Sequence, residues 1–158
     1  MTARKKLLIV LAIFTVTTST YAASKEKLVL MPTQANGIDK NETESIAKGL
    51  TETLSAKYEV VGGEGIAPKV AEIFAKESRK NDRCDADYCL REIAQTYGSS
   101  ILAAVNVIKL KSGYHLTLKV SDVMEDRLIY NESKHCSGCG ATEALSTLKI
   151  MAREAIEK

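Results

Sequence analysis

The sequence has 158 residues, 22 of them Lys or Arg and 20 Asp or Glu, and it contains no tryptophan. A formal net charge of +2, spread over interspersed acids and bases, provides no basic stripe for a nucleic acid, which excludes that class of partner. The length suits one hydrophobic core and one domain.

The chain begins as a secretory signal peptide does. Arg4, Lys5 and Lys6 form a basic region, "LLIVLAIFTV" (residues 7–16) an uncharged apolar core, and "TSTYAAS" (18–24) a run of small residues in which Thr20 and Ala22 fit cleavage after Ala22. Ten apolar residues are too few to span the ~30 Å hydrocarbon layer of a bilayer. Residues 1–22 are therefore expected to leave, with three of the basic residues, so that nineteen bases face twenty acids in the mature chain. The mature protein is expected to be periplasmic or secreted, touching the membrane only through the signal peptide before cleavage.

In chain order, "KLVLMP" (27–32) is an apolar run stopped by proline, a buried first strand. In "NETESIAKGLTETLSAK" (41–57), Asn41 and Glu44 suggest an N-cap and its capping-box partner, and Ile46, Leu50 and Leu54 share a helical face. "YEVVGG" (58–63) is a second strand and a glycine turn. Ile66, Val70, Ile73 and Phe74 then mark a second helix, and Leu90, Ile93, Ala94 and Tyr97 a third that stops at Gly98. Residues 99–135 divide into three strands at turns around Ser112-Gly113 and Glu125-Asp126. In the middle strand Tyr114, Leu116, Leu118 and Val120 alternate with His115, Thr117, Lys119 and Ser121, which gives it one buried and one wet face. Leu145, Leu148, Ala152 and Ile156 close the chain as a fourth helix.

The element order is β-α-β-α-α-β-β-β-α. It predicts a single α/β (α+β) domain whose mixed five-stranded sheet has the order 2-1-3-4-5, parallel among the first three strands and antiparallel beyond, and is packed with helices.

The runs "LVLMP", "IAKGLTETLSAKYEVVG" and "CDADYCLREIAQTYGSSILAAVNVIKLKSGYHLTLKVSDV" resemble the small periplasmic α/β domain at the N-terminus of TolB and in the related CsgG and LpoB envelope proteins. The resemblance covers residues 27–158. It implies that fold, and it implies a binding or assembly module of the cell envelope with envelope proteins as partners, not an enzyme. No β-propeller pattern, lipid-anchor cysteine or membrane-hairpin segment accompanies it, so the individual tasks of TolB, CsgG and LpoB are not implied.

The four cysteines, Cys84, Cys89, Cys136 and Cys139, are even in number, belong to an oxidising compartment and allow three pairings. Local bridges fit best. If Asp85 caps the third helix, Cys84 and Cys89 occupy the two positions that a hydrophobic staple brings together, while Cys136 and Cys139 are separated only by the small residues Ser137 and Gly138. A four-cysteine zinc site competes, but only one pair has Cys-x-x-Cys spacing. A thiol-disulfide oxidoreductase using Cys136 and Cys139 also competes, since a helix N-terminus lowers a thiol pKa and His135 is adjacent. A redox motif of that kind follows an early strand, whereas this one follows the last.

Other chemistry finds little support in the sequence. Gly62, Gly63 and Gly65 lack the spacing and the Lys-Ser/Thr ending of a P-loop. Asp82, Asp85 and Asp87 miss the EF-hand spacing, and His115 stands apart from any nucleophile or metalloprotease motif. No catalytic residue, cofactor or metal ligand is expected. The sequence predicts a binding module whose partner surface includes His115, Thr117, Lys119 and Ser121, with the thiol-disulfide oxidoreductase as the alternative.

Overall fold

Leu28, Val29 and Leu30 of β1 (Lys27–Leu30) are all fully buried, as consecutive residues of a strand must be when helices cover both of its faces. This computed structural model describes residues 24–80 and 86–158; the expected signal peptide and Cys84 lie outside the described residues. Pro32, which has no N–H to give to a ladder, interrupts the first strand. The chain resumes as the short strand β2 (Gln34–Asn36), parallel to the same neighbour. Leu30 pairs with Ala103 and Gln34 with Asn106, so four steps on one side match three on the other. The interruption is thus a one-residue bulge, and the Thr33 N–H turns away to donate to Glu64 Oε1 at 2.8 Å.

The N-cap of helix α1 (Lys40–Leu54) lies two residues before the expected Asn41 cap. Asp39 is the N-cap: its carboxylate accepts the Glu42 N–H at 2.8 Å, and Glu42 Oε2 accepts the Asp39 N–H at 3.4 Å. The preceding Ile38 packs against the core, which favours this start over the alternative box from Asn41 to Glu44. β3 (Glu59–Gly62) leads through a 3-10 turn at Gly63–Ile66 into α2 (Ala67–Lys80), so the glycine cluster serves as a strand-to-helix connection. α3 (Ala86–Thr96), the long strands β4 (Ile101–Leu110), β5 (Gly113–Asp122) and β6 (Arg127–Ser137), and α4 (Ala141–Ile156) complete the chain.

The sheet order is β3-β1-β4-β5-β6, with β2 paired to β4 beyond the end of β1. β1 runs parallel to β3 and β4, and β4, β5 and β6 are successively antiparallel. This is the topology expected from the sequence, with one correction: β2 makes the sheet six-stranded instead of five-stranded.

Two helical layers flank the sheet. α1 and α4 cover one face, where Leu50, Leu54, Leu148 and Met151 meet Leu28, Leu30, Val105, Leu116, Leu118 and Val120. Each aliphatic side chain buried there contributes about 1.5–3 kcal/mol relative to exposure. Among the described residues, α2 and α3 cover the other face near β1 and the start of β4, through Val70, Ile73, Ile93 and Ala94 against Val29, Met31 and Leu102. Among the described residues no helix is long and apolar enough to cross a membrane.

A polar clasp ties the edge strand β6 to α4. The buried Tyr130 hydroxyl lies between Glu132 and Glu154, 2.8 Å from the latter, and Lys134 Nζ sits 3.3 Å from Glu154 Oε1. Burial, then the contacts with Glu132 and Glu154, push the Tyr130 pKa above the ordinary tyrosine range. The hydrogen bond from Tyr130, with help from Lys134, holds Glu154 below the usual glutamate range. A depressed carboxyl adds stability above its unfolded pKa, about 4.3 for glutamate, and that stability is lost as pH falls through the folded value. A raised phenol adds stability below about pH 10, lost as pH rises further. Tyr130→Phe is therefore expected to lower the urea midpoint most between these limits, with the gap from wild type narrowing at both ends. A gap that is constant across pH would mean that the clasp does not titrate in this way.

Candidate functional site

Because α2 and α3 reach only part of their face, no helix among the described residues covers the half of the sheet built from β4, β5 and β6 on that side. Strand alternation decides what it displays. With Tyr114, Leu116, Leu118 and Val120 pointing into the core, His115, Thr117, Lys119 and Ser121 point out. The register arranges the outward-facing residues, exposed or half-buried, in three ranks across the strands. Ala104, Lys119 and Asn131 form one, Asn106, Thr117 and Ser133 the second, and Ile108, His115 and His135 the third. In the middle rank Thr117 Oγ1 and Ser133 Oγ are 2.8 Å apart, so side chains on this face meet across the β5–β6 pair. Ser121 lies at the covered end, where a bulge between Val120 and Ser121 offsets the pairing and sets Ser121 opposite Leu128.

The ranks carry one lysine, two histidines, small polar residues and little apolar surface, and no carboxylate stands among them. His135 of β6 stands directly opposite His115 of β5.

Cys136 and Cys139 form a disulfide, with Cα atoms 5.6 Å apart, which links the end of β6 to the residue before Gly140, the N-cap of α4. Gly138, at φ +72°, closes the ring and donates its N–H to Ser112 O at 2.7 Å, and Gly140 N–H donates to Glu143 Oε2 at 3.0 Å. Both cysteines are half-buried and lean on the main core. Cys89 is fully buried on α3. Among the described residues no group of three or more His, Cys, Asp or Glu gathers to hold a metal ion.

No family model matches the sequence, and no curated protein matches it. Solved structures do match. TolB from Acinetobacter baumannii is similar over 84% of this chain and 28% of its own, with a TM-score of 0.49 and 11% identity. The PelC dodecamer from Paraburkholderia phytofirmans is similar over 84% of this chain and 87% of its own, with a TM-score of 0.52 and 11% identity. The LpoB C-terminal domain from Escherichia coli is similar over 71% and 83%, with a TM-score of 0.45 and 14% identity. The chain thus spans 28% of the length of TolB, and it shares a fold with the PelC subunit. TolB and LpoB, the proteins named by the sequence resemblance, are both among the similar structures.

Proposed function

We propose that the mature chain is a periplasmic or secreted binding or assembly module of the cell envelope, that it is not an enzyme, and that it acts through protein–protein contacts on the bare half of the sheet. The observation that carries this reading is that incomplete helical cover, which presents His115, Thr117 and Lys119 in register with their neighbours on β4 and β6. The fold likeness to PelC, a protein that assembles as a dodecamer, supports the assembly part. A polar surface without tryptophan anchors favours a modest interface over an obligate one.

Crosslinking in intact host cells, followed by identification of the captured neighbour, tests the surface. Capture of an envelope protein, or of a second copy of this chain, should weaken with His115→Asp and Lys119→Glu. Unaltered capture moves the interface to another face. Turnover of a thiol or a small molecule without any partner removes the module reading altogether.

The disulfides are proposed to be structural, with Cys84 bonded to Cys89 as the second bridge. Short loops restrict the unfolded chain little, so each bridge is expected near the lower end of the typical range of about 2–4 kcal/mol. Peptide mapping without reductant should recover Cys84 joined to Cys89 and Cys136 joined to Cys139. Ready reduction of the second bridge, together with faster insulin reduction in a coupled assay, would favour the thiol-disulfide oxidoreductase instead.

A further inference from the structure

His115 and His135 are the only histidines in the chain, and the strand register sets them face to face on the bare side of the sheet. Directly opposed residues of antiparallel strands hold their Cβ atoms about 4.5–5.5 Å apart. Two imidazoles projecting from that base can reach a common point at the ~2.0–2.1 Å metal–nitrogen distance of a late transition metal. The hydroxyl contact between Thr117 and Ser133 in the adjacent rank demonstrates that side chains at this spacing do converge here.

The surroundings suit a cation. Ile108 closes the β4 side of the pair, Gly113 and Ser137 form the next pair along, and none of these carries charge. On this face of the sheet neither a carboxylate nor a lysine stands in the His rank, in the Gly113–Ser137 pair or in the Thr117–Ser133 pair. On the other side β6 is the sheet edge, which leaves the remaining coordination positions to water or to a donor from another molecule.

We propose that His115 and His135 form a two-imidazole chelating site for a divalent late transition metal ion. Nitrogen donors without carboxylates suit copper, nickel and zinc and not calcium or magnesium. With only two protein ligands, selectivity follows the intrinsic order, copper(II) ahead of nickel(II) and zinc(II). The site does not depend on a partner bound at the surface proposed above, because both of its protein ligands come from one chain.

The test titrates purified, tag-free protein with copper(II), nickel(II) and zinc(II), each alone. One copper(II) should bind per chain, with nitrogen coupling from two imidazoles in its paramagnetic resonance spectrum. In proton spectra of the unaltered protein, substoichiometric copper(II) should broaden the ring signals of both histidines together. His115→Asn and His135→Asn should each weaken binding by at least the about 10-fold that loss of an outer-shell partner costs in other sites. The proposal is overturned if only one ring broadens, or if the double variant binds copper(II) as tightly as the wild type.

Discussion

Leu118→Ala is expected to destabilise the fold by about 2–5 kcal/mol, whereas Lys119→Ala, one residue further on, should change stability by no more than about 0.5 kcal/mol. Leu118 is fully buried on β5, between strands on both sides and beneath the layer made by α1 and α4. Truncation there leaves a cavity that neighbouring strands, held by ladder bonds on either edge, cannot collapse to fill. Lys119 occupies the opposite face, exposed, between Ala104 and Asn131. Urea unfolding of both variants measures the contrast as a shift in midpoint at constant slope. A Lys119→Ala cost comparable to that of Leu118→Ala would mean that the bare half of the sheet is covered by the chain itself, and the proposed partner surface would be lost with it.

Much of this architecture could be read from the sequence because it rests on side-chain patterns. The apolar run 27–32, the alternation through 114–121 and the helical spacing of Leu145, Leu148, Ala152 and Ile156 each commit a segment to one face, and right-handed crossovers leave few orders for the strands. β2 could not be read, since Gln34, Ala35 and Asn36 are all exposed and their pairing with β4 follows from a backbone event, the bulge at Pro32. The start of α1 lay between two overlapping capping boxes, Asp39 with Glu42 and Asn41 with Glu44, and packing of Ile38 decided between them.

The histidine pair was hidden for a related reason. Both histidines are visible in the sequence, but their meeting depends on the register of a long hairpin. Asp122 pairs with Arg127 across a four-residue turn, and that register continued without interruption would bring Lys134 opposite His115. The bulge between Val120 and Ser121 advances the pairing by one residue, which brings His135 opposite instead. Alternation alone assigns a residue to a face; the partner across the strand is set by turn and bulge geometry, which composition scarcely marks.

Gly113→Ala is expected to disturb that register and to cost at least about 2–3 kcal/mol, counting the strained backbone and the close contact together. Gly113 pairs with Leu110 on one side and with Ser137 on the other, where β4 turns into β5 beside the disulfide. Its φ is +129°, and a Cβ there would stand 2.0 Å from Cys136 O and 3.0 Å from Gly138 N. Both atoms belong to backbone, so no side-chain rotation relieves the contact. Gly138→Ala makes the comparison: φ is +72° and nothing lies within 4 Å of the added carbon, so only left-handed strain of about 1 kcal/mol is expected. Because Gly113 lies two residues from His115 on the same strand, its displacement should also weaken copper(II) binding, while Leu118→Ala, whose side chain faces away from the imidazoles, should lower stability and leave the metal affinity of the folded fraction unchanged. Equal losses of affinity in the two variants would tie the metal site to global stability and not to the local register of β5 and β6.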